Sequence, residues 1–294
     1  MTARRLSAAE RVLLALGIIA LVRAALGWFL PVPREDFVLF CLLLAGQQLL
    51  LYGLPGLLLK IEKRNPTPSL PEEKERLTLK TAGAIAGTAA VHQGALTLVT
   101  LILGQWLAFM GFSVQQSHLP LPGDPVQGCL AVLAFCLIPA LCEEYFFRGR
   151  LFPGLQAEFS QRASLFVAAG LFGLMHGQLA ALPAHLAAGL MLTLLCQRYR
   201  LGASILYHGV FNCVSLALGL WERDALWQEE LMAHPSLLMA LAGLLVLLGA
   251  VCGWALSKDV ALEKEPRAPR GRWAWVGGVA LLLLPAYLIE LLPR

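Results

Sequence analysis

Apolar residues in this chain fall into nine runs, near 11–31, 37–60, 79–111, 127–152, 164–179, 183–197, 202–220, 236–256 and 273–292, parted by polar segments. A helix of about 20 apolar residues crosses a bilayer. The pattern therefore predicts an all-α, polytopic transmembrane bundle of eight to nine spans. The fifth and sixth runs are short, which predicts tilted, half-buried or partly re-entrant helices. The first run follows Arg4 and Arg5 as a signal peptide would, but it lacks an A-x-A-like cleavage site and more spans follow, so it reads as a retained anchor. Three segments are expected: 1–124 with three spans, 125–220 as a functional core, and 221–294 with two spans.

Composition supports the membrane reading and excludes a soluble globular protein. The 294 residues are 58% hydrophobic and 14% charged, against roughly 25% charged in ordinary globular chains. The net charge of +4 matters less than its distribution. Arg4, Arg5 and Arg11 precede the first run. The other basic clusters fall between runs two and three, after run four, after run six and after run eight. Segments 112–126 and 222–235, by contrast, are polar or acidic. The positive-inside rule then expects a cytoplasmic N-terminus and an outer C-terminus in a bacterial plasma membrane. Arg23 lies within the first span. Basic segment 257–272 is expected to meet lipid headgroups. No basic–aromatic interleaving points to nucleic acid, and no internal repeat is visible. The seven cysteines lie in apolar runs without metal-finger spacing and read as packing residues; Cys142, beside Glu143, is a weaker candidate nucleophile.

The chemistry concentrates in the core segment. Residues 127–152, GCLAVLAFCLIPALCEEYFFRGRLFP, hold two acids inside an apolar run. An intramembrane carboxylate is costly and marks a functional site by default. Glu144 and Arg148 are i, i+4 with the acid first, the favourable order for a pair on one helical face. Glu143 points about 100° away and has no partner in its own helix. Glu144 and Arg148 therefore read as structural, and Glu143 as the acid available for proton transfer. A competing reading gathers both acids with Arg148 and Arg150 as an interfacial charge cluster. Phe172-x-x-x-His176 and His208-x-x-x-Asn212 each place two side chains on one face of a later span. Measured from the basic ends of their spans at 1.5 Å per residue, Glu143, His176 and His208 lie ~15, ~16 and ~12 Å deep, so they can share one layer.

Two mechanisms fit this set. In one, Glu143 and His176 polarise a water while His208 and Asn212 donate to a tetrahedral oxyanion. In the other, Glu143, His176 and His208 are ligands of a catalytic Zn²⁺ with an open position. No H-E-x-x-H helix is present, and no other cofactor is indicated. His92, beside Gln93, could line the same cavity but reads, like His118, His185 and His234, as structural.

The ordered set Glu143-Glu144-x-x-x-Arg148, Phe172-x-x-x-His176 and His208-x-x-x-Asn212 resembles the CAAX prenyl protease and bacteriocin-processing family, the type II CAAX endopeptidase or abortive-infection group, over residues 125–220. The resemblance implies an intramembrane endopeptidase, of metallo- or glutamate type, acting on membrane-associated or C-terminally modified proteins or peptides, lipidated ones included, in contact with membrane lipids. It implies that Glu143 and His176 activate water and that His208 and Asn212 hold the oxyanion. Two other classes remain open at this level. Buried Glu, His and Arg also form the relays of proton-coupled transporters, and a descendant of the family could serve as an immunity or scaffold protein.

Overall fold

The computed structural model describes residues 6–29, 35–59, 75–112, 120, 122–221, 231–260 and 270–290. The elements in that set are helical: α1 (Ala8–Phe29), α2 (Phe37–Leu58), α3 (Leu79–Phe109), α4 (Pro125–Gln156), α5 (Gln161–Leu174), α6 (Leu182–Tyr199), α7 (Leu201–Trp221), α8 (Pro235–Ser257), α9 (Arg270–Leu283) and α10 (Pro285–Glu290). Among the described residues α2, α3, α4, α7 and α8 are long and apolar enough to cross a membrane. The other expected spans are helical too. At 14 residues, α5 rises only ~21 Å, short of a hydrocarbon core of about 30 Å. The ninth run divides before Pro285, because proline cannot supply the amide that a continuing helix needs. His118, the acidic segment 222–230 and residues 60–74 and 261–269 of the two basic segments lie outside the described residues.

Two of the spanning helices are not regular. A π-helical turn interrupts α2 at Leu49–Gly53, and two interrupt α4 at Val132–Leu137 and Phe147–Leu151. Each ends two residues before a proline, namely Pro55, Pro139 and Pro153. A proline inside a helix lacks the N–H for its i−4 carbonyl and its ring crowds that carbonyl. Widening the preceding turn relieves the clash without breaking the rod. The widened turns carry Tyr52 and Arg148, so the prolines help to aim two side chains of the site described below.

One apolar cluster runs through the molecule from Ala9 on α1 to Leu283 on α9 and takes in α2 to α8. Leucines on the outer faces, such as Leu57, Leu58, Leu244 and Leu247, are exposed, as lipid-facing positions require. In lipid no hydrophobic force drives helices together, so close contact depends on small residues. Gly189 on α6 is the clearest case. A β-carbon there would lie 2.9 Å from the Ala169 carbonyl oxygen and 3.1 Å from the Ala169 Cα. That neighbour is backbone and has little room to shift. Gly189→Ala is expected to destabilise the protein by about 1–3 kcal/mol, the usual cost of overpacking. A melt in detergent, read against Gly170→Ala, where an added β-carbon meets nothing within 4 Å, checks this.

Two ion-pair clusters fasten the bundle ends. Arg198 at the end of α6 binds Glu75 and Asp259, each at 2.8 Å. Arg272 on α9 pairs with Glu10 on α1 and with Glu158 after α4. His92 on α3 is used in the same structural way: Nε2 meets the Gly249 carbonyl at 2.8 Å and Nδ1 meets the Tyr207 hydroxyl at 2.6 Å. Both ring nitrogens are thereby occupied in joining α3, α7 and α8.

Candidate active site

The polar centre is built on the four helices α4 to α7. Glu144 and Arg148 are fully buried and paired at 2.7 Å through Oε1 and Nη1. Arg148 continues through Nη2 to the Gly189 carbonyl at 2.9 Å, and its guanidinium lies 4.4 Å over the Phe172 ring. Burying an ion pair is tolerable when the remaining donors find partners, and α6 supplies one because Gly189 lets its backbone come close. Arg150 binds neither acid. It donates to the Gly56 carbonyl at 2.6 Å and to the Tyr145 hydroxyl at 2.8 Å. The competing charge-cluster reading of both acids with both arginines therefore fails.

Glu144 also reaches α7, where His208 Nδ1 approaches Oε1 at 3.0 Å. The sequence spacing showed the Arg148 contact but not this one, which links residues 64 positions apart. Glu143, nine-tenths buried, points elsewhere. Its carboxylate accepts a hydrogen bond from the Gln48 side chain of α2 and lies within electrostatic reach of His208 and Arg23. Asn212 is half-buried one turn beyond His208 on the same face of α7.

His176 sits just past the end of α5, and the helix end explains its pose. The last carbonyls of a helix lack intrahelical partners. Here each finds one. Phe172 O meets His176 Nδ1 at 2.9 Å. Gly173 O and Leu174 O accept from the Tyr287 hydroxyl at 3.0 and 3.2 Å. Met175 O accepts from Arg23 of α1. Gly177 then takes φ of +71°, the left-handed conformation glycine adopts at least cost, and the chain turns toward α6. The Phe172 ring is the hub of the site, with centroids 4.8 Å from His176 and 5.8 Å from His208, both edge-on.

The tautomers follow from these bonds. A carbonyl can only accept, so His176 Nδ1 carries the proton and the neutral ring presents Nε2 as a proton acceptor. His208 Nδ1 faces a carboxylate, so Nε2 is again the atom left for a substrate. Among the described residues no group of three or more His, Cys, Asp or Glu side chains is placed to hold a metal ion. Cys142 Sγ packs toward Gly53 of α2, and no hydrogen bond to a histidine activates it.

Two residues of this region escaped the sequence reading. His185 of α6 stacks on His176 with centroids 3.8 Å apart and planes at 17°; only tertiary structure could reveal that. Arg23 of α1 lies against Met175 and was legible, because a cation inside a span invites the same question as an acid.

Residues 125–214 match the family model described as type II CAAX prenyl endopeptidase Rce1-like. Over this segment the chain is similar to that family. The Rce1-like segment covers α4 to α6 and α7 through Val214, which is the part of the fold that carries Glu143, Glu144, Arg148, Phe172, His176, His208 and Asn212. That family is one of proteases, and with five helices among the described residues long and apolar enough to cross a bilayer the chain is an integral membrane protein. No curated protein and no solved structure matches it.

Proposed function

We propose that the protein is an intramembrane endopeptidase that cleaves membrane-associated or C-terminally modified peptides by a water activated between Glu143 and His176. The observation that supports this most is the fixing of both imidazoles. His176 Nδ1 is held by the Phe172 carbonyl and His208 Nδ1 by the Glu144 carboxylate, and both Nε2 atoms remain for water and substrate. The water oxygen bonds to the scissile carbonyl carbon as the C=O π pair moves onto the oxygen, Glu143 takes the proton the water loses, and His176 Nε2 accepts a hydrogen bond from its other O–H. His208, as an imidazolium balanced by Glu144, donates through Nε2 to the oxyanion, and Asn212 donates beside it. The proton then passes to the leaving nitrogen as the C–N bond breaks. Glu144, Arg148 and Phe172 hold the two rings in place.

A single-turnover assay in detergent tests this, with pooled membrane-anchored and C-terminally lipidated peptides. Wild type is expected to cleave, His176→Ala to lose about 10²–10⁴-fold in rate, and a zinc chelator to leave wild type unchanged. Cleavage by His176→Ala at the wild-type rate would refute the assignment. Loss of activity with the chelator, restored by zinc, would refute the metal-free mechanism while sparing the peptidase.

A further inference from the structure

His185 touches the proposed base and has no part in the mechanism above. Its ring lies face to face with His176, centroids 3.8 Å apart and planes at 17°. Its Nδ1 is buried and has no hydrogen-bond partner among the described residues. The face of an imidazole offers neither an N–H nor an in-plane lone pair, so the stack cannot carry a proton from one ring to the other. What it can transmit is position. His176 needs that support. It stands past the end of α5, in a turn where Gly177 takes φ of +71°, so no helical ladder continues through it. The torsion that rotates an imidazole has broad wells, and the bond between Nδ1 and Phe172 O holds one atom of the ring. Two further rings bear on it in different orientations, Phe172 at 62° and His185 at 17°. The helix packing sets where His185 stands. A β-carbon at Gly173 would lie 3.2 Å from the Leu186 backbone nitrogen, so α5 and α6 touch one residue after His185 and three before His176.

We propose that His185 is a positioning residue: its ring face fixes the rotation of the His176 imidazole and so keeps Nε2 directed at the attacking water. Its effect on rate rests on the peptidase reading above; its effect on the ring does not. The requirement at position 185 is then flatness. A planar side chain there holds the stack, whereas an aliphatic one of similar volume fills the space and leaves His176 free to turn about its Nδ1 bond. The loss falls on the chemical step, because His185 acts through His176 and takes no contact with substrate. A catalytic group misplaced by about 1 Å can cost about 10²-fold in rate.

The test uses the full chain in detergent with His185→Leu, His185→Phe and His185→Gln. One readout is kcat and KM on a membrane-anchored peptide that wild type cleaves. The other is the carbon–proton NMR signal of the His176 ring in histidine-labelled protein, identified by its disappearance in His176→Ala. His185→Leu is expected to lower kcat by about 10- to 100-fold with KM little changed, and to broaden or split the His176 signal. The planar Phe and Gln variants are expected to recover most of the lost kcat and to return the signal toward its single wild-type form. A wild-type kcat in His185→Leu, or an unchanged His176 signal there, would overturn the proposal. So would equal losses of kcat in all three variants, which would make a ring nitrogen of His185 the working part, or a loss confined to KM. If wild type cleaves no peptide, but the His176 signal broadens in His185→Leu and sharpens again in His185→Phe, the positioning role stands and the peptidase reading falls.

Discussion

Glu143→Gln is expected to lower the single-turnover cleavage rate by about 10²–10⁴-fold, the usual contribution of a positioned acid or base, without shifting the thermal midpoint. The separation of the two effects comes from the surroundings of the side chain. Glu143 is not part of the ion pair that α4 makes with itself; Glu144 has that role. Across the bundle it accepts a hydrogen bond from Gln48 on α2, and an amide of the same size can keep that contact through its own carbonyl. The substitution preserves volume and rotamer and removes only the charge and the ability to take a proton. Glu144→Gln is different, because the lost charge is the one that Arg148 and His208 both face. A rate within tenfold of wild type for Glu143→Gln would remove it from proton transfer. A melt lowered as far as that of Glu144→Gln would show that the two acids share one structural job.

The helices were legible because apolar runs bounded by charges leave little freedom in lipid. Runs 37–60 and 79–111 correspond to Phe37–Leu58 and Leu79–Phe109. What the pattern could not show is how the rods deviate. The three π turns required reading Pro55, Pro139 and Pro153 as points of local widening instead of breaks. The Glu144–Arg148 bond was legible because both ends lie on one helix. The Glu144–His208 and His176–His185 contacts were not, because each joins helices whose relative rotation is set by close approaches such as Gly189 on Ala169. Span number suffers from the same limit. Hydropathy counts apolar runs, whereas crossing requires length, and α5 has the composition of a span without its reach.

Arg148→Ala is expected to be the most destabilising single change in the bundle, at about 3–5 kcal/mol, the range for removing one partner of a buried pair. Arg148 is 2% exposed, so its removal strands Glu144 in the interior. Three contacts go at once: the pair with Glu144, the bond to Gly189 O and the stacking on Phe172. Most of the cost arises from what remains, a buried carboxylate that still faces the His208 ring but has lost its cation. That source can be isolated. If the stranded charge dominates, Glu144→Gln combined with Arg148→Met should melt higher than Arg148→Ala, because both charges have left together and an apolar chain of similar length covers Phe172. The double variant should still cleave poorly, because a neutral residue 144 can no longer balance an imidazolium at His208. Additive losses in the two single variants would show instead that the pair contributes by packing alone, and the position of His208 would then have to be set by Phe172 without Glu144.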